Sequence, residues 1–456
     1  MSIEHDTDEG ALLEGVEQLV AWFRAGEKSA AAFRVGLEHE KLLYRRGSLE
    51  PTDYPQVRQI LLDLRRFAWE PRPNAEEPVA LERAGAWVSL EPGGQLELSG
   101  PPYRSVHESA ALMRSHADEL RAVCEPLGVG IADLGFRPFV EARRVPRTPR
   151  RRHAIMRDYL PRRGRRALDM MCLTASVQAN FDYASEPDLV RKLRCALRLS
   201  PVVAAIFANS PIRGSTASGL RSTRVATWFD VDPDRCGLLP FAFDAGMDYR
   251  RYAEWILDVP MMFMRRKGEY RPLPGISLRR FAAEGFQGES ARIADFETQL
   301  SMVFPEVRCK RWLEVRSADA SGVDGALALG ALWKGVLYDD EALSRAEALT
   351  RELSPGDLES LQRSAARDGL QGRVGEHALG AWANEVLELA RVGLQRQGVL
   401  DEAGRDESIY LRPIADVVAQ GRTLADRLLE HFGRGPYDEA ARRAILATAG
   451  FGGTDG

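Results

Sequence analysis

Residues 33–44 read FRVGLEHEKLLY. The alternation through this stretch predicts a β-strand, in which successive side chains point to opposite faces. Glu38 and Glu40 therefore project together, with Leu37, His39 and Lys41 behind them. Residues 85–99 (GAWVSLEPGGQLELS) read as a β-hairpin turning through Pro92-Gly93-Gly94, and place Gln95 and Glu97 on one face. Strands are expected at 173–183, where SVQANFDY puts Gln178, Asn180 and Asp182 together, and at 307–317, where VRCKRWLEVRS aligns Arg308, Lys310, Trp312, Glu314 and Arg316. Further strands are expected at 129–136 and 223–230.

Between these runs the sequence predicts helices over 10–24 and 56–66, one opened by the capping box Ser105-Val-His-Glu108, and a helical pair from Ser185 towards Asn209. A loop is expected at 71–78. Beyond residue 340 strand patterns vanish and the remainder reads as helices, with starts at Ser354-Pro355 and Thr423-x-x-Asp426. Strands and helices mix without regular βαβ alternation. The fold class expected is α+β: a curved, mostly antiparallel sheet with a ligand-binding concave face, surrounded by helices. The expected division is a catalytic sheet domain over 1–340 and a helical region over 341–456 packed on it.

The chain has 456 residues, 62 Lys+Arg against 66 Asp+Glu and a net charge of −4. That balance argues against a dedicated nucleic-acid binder, whose domain is usually strongly basic. Arginine nevertheless clusters: 137–166 holds twelve, among them Arg143, Arg147, Arg157 and Arg165, against Glu141 and Asp158. Few aromatics are interleaved for base stacking, so recognition of small anions through the guanidinium fork is favoured over an Arg-rich nucleic-acid-binding protein. The acidic start lacks the basic and apolar regions of a secretory signal, and five scattered cysteines with no C-x-x-C suit a reducing compartment. The expectation is a cytoplasmic enzyme binding neither nucleic acid nor membrane.

Several chemistries lose support. There is no P-loop motif, no G-x-G-x-x-G after a strand, no G-x-S-x-G and no H-E-x-x-H. What remains is the run of acids and amides. Water on a half-exposed sheet explains any one such strand. Four strands carrying Glu, Gln and Asn are explained better by a cation, because neighbouring carboxylates repel unless one sits between them. Mg²⁺ takes oxygen ligands, often one or two carboxylates plus phosphate oxygens. Such a face, with arginines around it, suits Mg-nucleotide.

These segments resemble the plant-type glutamate–cysteine ligase family, also found in proteobacteria. The resemblance runs through VGLEHEK (35–41), SLEPGGQLELSG (89–100), AIMRDYLP (154–161), LDMMCLTASVQANFDY (168–183) and FPEVRCKRWLEVRSAD (304–319). It implies a glutamine synthetase-like fold and ATP-dependent joining of the γ-carboxylate of L-glutamate to the amine of L-cysteine, the first step of glutathione biosynthesis. By position it implies Glu38, Glu40, Glu97 and Glu314 as Mg²⁺ ligands, with Gln178 at a further ligand position and Glu91 as another candidate. Arg157 and Arg224 would hold substrate carboxylates, with Gln178, Asn180 and Trp228 also lining the substrate site, and Arg316 would face phosphate. The catalytic set expected is Glu38, Glu40, Glu314 and Arg316. Redox-regulated plant members carry a disulfide near the segment matching 269–281; Leu273 stands where a cysteine is expected, so no such thiol switch is expected here. A different amine acceptor, or a product serving ergothioneine synthesis, is the alternative. A monomer or homodimer is expected.

Overall fold

The computed structural model describes residues 10–71, 79–273 and 275–450. The loop expected at 71–78 falls outside them from residue 72 on, as does the acidic start of the chain. The central feature is an open antiparallel sheet. Its strands are β1 (Val35–Arg45), β2 (Glu70–Pro71), β3 (Ala80–Arg83), β4 (Ala86–Leu90), β5 (Leu96–Ser99), β6 (Val129–Ala132), β7 (Ser176–Phe181), β8 (Val307–Cys309) and β9 (Leu313–Asp319). They lie in the order β8-β9-β7-β1-β5-β4-β3-β2, with β6 pairing the far end of β1.

Register fixes which residues share a face. Glu38 lies opposite Gln178 on one side and Ser99 on the other, and Glu40 opposite Glu97. Glu97 in turn faces Ser89, Asn180 faces Glu314, and Glu314 faces Arg308. Glu38, Glu40, Glu97, Gln178, Asn180 and Glu314 thus lie on one side of the sheet, as alternation requires. Gln95 and Asp182 instead fall just outside the strands and bond elsewhere, Gln95 to the Thr174 carbonyl and Asp182 to Lys28.

The other side is apolar. Leu37, Leu98, Val88, Val177, Ala179, Phe181, Leu313 and Val315 are buried there, each large side chain stabilising the fold by about 1.5–3 kcal/mol through burial. The helix Gly322–Leu337 packs on this side, and Gly330 lets it approach closely: a Cβ there would lie 2.6 Å from Leu37 Cδ2. Two polar residues share this buried side. His39 Nε2 and Asp133 Oδ1 are 2.9 Å apart, and Lys41 Nζ donates to the His39 carbonyl.

Four expectations are corrected. Residues 223–230 form no strand; Thr223–Trp228 is a helix, because Ser222 Oγ accepts the Val225 N–H at 3.0 Å and this N-cap outweighs the β-branched composition. The run 307–317 is two strands, not one: Lys310 N–H reaches the Trp312 carbonyl at 2.7 Å and folds β8 back on β9. The helical pair after Ser185 is one helix, Glu186–Ile206, continuous through Pro201. Beyond residue 340 a two-residue hairpin (373–374 with 377–378) interrupts the helices. The capping box at Ser105 forms as read, and the helix starts read at Ser354 and Thr423 are capping boxes as well. No helix among the described residues is long and apolar enough to cross a membrane.

Candidate active site

The polar face of the sheet divides into an acidic half and a cationic half. Glu38, Glu40 and Glu97 make the first. Glu38 accepts the Asn180 amide at 2.9 Å and shares a hydrogen bond with Glu97. Burial, reinforced by the charges of Glu97 and Glu314, raises the Glu38 carboxyl above its ordinary value. Burial together with Glu91 and Glu97 pushes Glu40 up to about 8, although the Ser176 N–H (2.7 Å) and Arg224 pull the other way. Glu97 accepts the hydroxyls of Ser99 (3.1 Å) and Ser89 (3.4 Å). Half-buried Glu91 sits at the turn entering β5, where Gly94 N–H donates to its carbonyl.

The cationic half centres on Glu314, which is wholly buried. Arg308 Nη2, Lys310 Nζ and Arg316 Nη1 each lie 2.6 Å from its carboxylate. Burial alone would raise the Glu314 pKa, but the three cations hold it well below the usual carboxylate range. Burial, with Arg308 adding to it, lowers Lys310 to about 8. One carboxylate against three cations leaves a positive surplus. Such a surface suits phosphate or carboxylate oxygens.

Gln178 joins the halves. Its Nε2 donates to Glu40 Oε1 at 3.1 Å and its Oε1 accepts from Arg316 at 2.7 Å. Arg224 also belongs here: its Nη2 donates to the Arg316 carbonyl at 2.8 Å, and its charge is felt at Glu40.

The fold therefore gathers Glu38, Glu40, Glu97, Gln178, Asn180, Glu314, Arg316 and Arg224. Two expected residues stand at the rim. Arg157 donates to the Pro92 carbonyl (3.2 Å) and the Cys172 sulfur (3.3 Å), beside the turn that carries Glu91. Trp228 follows Arg224 by one helical turn and packs against Phe304, with ring centroids 5.8 Å apart. The sequence placed Arg308 and Lys310 on the right face without giving them a role; their alternation with Glu314 was the available signal.

The donor chemistry fits a hard cation. Among the described residues no three carboxylates, imidazoles or thiolates stand already grouped at metal-ligand spacing. Glu38 and Glu97 instead share a hydrogen bond, and the Glu40 carboxyl is raised by its acidic neighbours. Crowded carboxyls of this kind are stabilised when a divalent ion replaces the shared proton.

The family model for "Glutamate-cysteine ligase family 2 (GCS2)" matches residues 34–447, a span that includes every strand of the site. The chain belongs to this family. The glutamate–cysteine ligase, chloroplastic, of Medicago truncatula is 39% identical over 418 residues, covering 91% of this chain and 81% of the relative. The Arabidopsis thaliana protein of the same name is 39% identical over 420 residues, covering 91% of this chain and 79% of the relative. A crystal structure of glutamate–cysteine ligase from Francisella tularensis in complex with AMP superposes with a TM-score of 0.57 at 12% identity, covering 91% of this chain and 87% of that one. That likeness is one of fold.

Proposed function

We propose that this member of the family joins the γ-carboxylate of L-glutamate to the amine of L-cysteine at the expense of ATP, forming γ-glutamylcysteine for glutathione biosynthesis. The observation that carries the reading is the junction at Gln178 of three crowded glutamates and an arginine–lysine cluster on one buried sheet face. A carboxylate resists attack by an amine. Its γ-oxygen therefore first attacks the γ-phosphorus of ATP, ADP leaves, and an acyl phosphate results. The cysteine nitrogen then attacks the acyl carbon, loses a proton, and phosphate departs with the former carboxylate oxygen.

Glu38, Glu40 and Glu97 would hold Mg²⁺, with Gln178, Glu314 and Glu91 as further candidates. Bound there, the ion would neutralise phosphate charge and keep donor and acceptor oxygens in line. The chain's own contribution is positioning and electrostatics. Arg316, with Arg308 and Lys310 beside it, would meet phosphate oxygens. Arg224 and Arg157 would take substrate carboxylates, and Asn180 and Trp228 would line the pocket. No side-chain nucleophile is needed.

In the same reading residues 1–340 carry the chemistry and 341–456 buttress them. The protein works in the cytoplasm as a monomer or homodimer, and five unpaired cysteines support a reducing compartment. The test is phosphate release from ATP with Mg²⁺, glutamate and a panel of amines. Release that depends on cysteine is expected. Release that ignores cysteine but answers another amine overturns the acceptor, and retention of RNA or DNA without ATP turnover overturns the whole reading.

A further inference from the structure

Asp319 closes β9 and is 1% exposed. Its Oδ2 accepts the Asn209 N–H at 2.9 Å and the Ser210 hydroxyl at 2.6 Å. Its Oδ1 accepts the Ser222 hydroxyl at 2.8 Å and lies 3.9 Å from Arg224 Nη1. The two hydroxyls pass the constraint on. Ser210 Oγ accepts the Arg224 N–H at 3.2 Å, and Ser222 Oγ caps the helix that Arg224 belongs to. One carboxylate thus holds Arg224 twice, by charge at its guanidinium and through hydroxyls at its backbone.

The carboxylate itself has little freedom. A Cβ on Gly135 would lie 2.3 Å from Asp319 Cγ, so the chain at Gly135 presses directly on it. On its far side the Arg224 guanidinium donates to the Arg316 carbonyl. A buried arginine aimed at a small anionic ligand keeps its affinity only if its fork is held in place, because a long side chain otherwise loses rotamer freedom on binding.

We propose that Asp319 is a positioning residue that sets the Arg224 guanidinium on the polar face of the sheet for a substrate carboxylate, without touching substrate itself. The inference rests on the proposed role of Arg224, and the test separates the two. KM for glutamate, cysteine and ATP and the common kcat are measured for the wild type, Asp319→Asn, Arg224→Lys and the double variant. Asp319→Asn is expected to raise one amino-acid KM about tenfold while kcat falls less than about threefold. In the Arg224→Lys background the same change is expected to move that KM less than about twofold, the non-additivity of residues acting as a unit.

An equal rise in both backgrounds, or a parallel loss across all three substrates, overturns the proposal and leaves Asp319 a purely structural group. If Arg224→Lys moves no KM, the assignment of Arg224 itself fails, and the proposal with it. Should Asp319→Asn not fold, Ser210→Ala removes one link of the relay. It is expected to raise the same KM about threefold, again only when Arg224 is intact; no coupling in that cycle overturns the proposal equally.

Discussion

Arg316 Nη1 donates to Gln178 Oε1 at 2.7 Å, and this contact decides which way the amide points. Arginine can only donate, so the atom facing it is the oxygen. The amide nitrogen is left for Glu40 Oε1 and the Ser176 hydroxyl. Gln178→Leu takes one hydrogen bond from each neighbour, leaving Glu40 its Ser176 N–H and Arg316 its Glu314 carboxylate. Activity is expected to fall at least about tenfold, with weaker Mg²⁺ dependence as the accompanying sign, because a buried charged group loses a hydrogen bond on each side. Titration of activity against Mg²⁺ measures it; unchanged Mg²⁺ dependence at full activity would sink the bridging role.

Glu40 stands at about 8 without a cation, above the ordinary carboxylate value of 4.5. The folded state therefore binds the extra proton, and the stability it brings is complete below about 4.5 and lost as pH rises through about 8. Lys41 and Lys310, both lowered to about 8, change stability only above that pH. Buried His39, His116 and His153, all lowered from 6.5, act the other way below about 6.5, so Glu40 is read by difference. The melting temperature of metal-free Glu40→Gln relative to the wild type should rise from pH 5 to pH 8. A melting difference between the two proteins in chelator that does not change with pH contradicts the assignment.

Mg²⁺ should oppose that loss. An ion bound only by the folded state adds about 2.7 kcal/mol when present at a hundredfold excess over its Kd. Glu97→Gln removes the partner that shares a hydrogen bond with Glu38. The variant should be at least as stable as the wild type in chelator, yet show little melting shift on adding Mg²⁺. Calorimetry with and without Mg²⁺ checks both halves; a full Mg²⁺ shift in the variant removes Glu97 from the ligand set.

The helices Gly322–Leu337 and Leu379–Gln397 cross backbone to backbone. A Cβ at Gly393 would lie 2.0 Å from the Gly335 carbonyl oxygen, and one at Gly335 2.2 Å from that of Ala390. Gly393→Ala should destabilise by about 1–3 kcal/mol through overpacking, while activity per folded molecule is retained. Denaturant unfolding beside an activity assay tests this, and an unchanged midpoint would refute the close crossing.

Leu273 is buried beside the hairpin of Phe263–Arg266 and Glu269–Pro272. Of the cysteines, Cys124, Cys172, Cys195 and Cys309 are buried and only Cys236 is partly exposed. Treatment with dithiothreitol or with oxidised glutathione should change activity less than about twofold, since buried thiols with raised pKa exchange slowly. A reversible activation by oxidant would show a thiol switch of another design.

The polar face was legible because alternation is a property of single strands: Glu38 with Glu40, and Gln178 with Asn180, needed no knowledge of their neighbours. The β8–β9 turn was invisible for an instructive reason. Residues 310–312 span it and preserve the parity of the pattern, so Arg308, Glu314 and Arg316 share a face whether the run is one strand or two. Strand order was not legible, since no periodicity states that β7 lies between β9 and β1. Nor was the Asp319 relay, whose serines Ser210 and Ser222 arrive from a loop about a hundred residues away in sequence. The helix over 223–228 was missed because a one-residue cap overrode a longer β-branched run.

Glu407 is wholly buried, paired with Lys334 and accepting the Val106 N–H at 2.6 Å. Three stretches of chain, each opening or lying within a different helical layer, thus close on one carboxylate. Either partner left alone would be a buried bare charge, which proteins tolerate poorly. The consequence is mechanical. The late helices cannot be peeled away while the sheet stays intact, so heat should melt the whole molecule in one calorimetric step, and two halves expressed as separate chains should regain the fold only together.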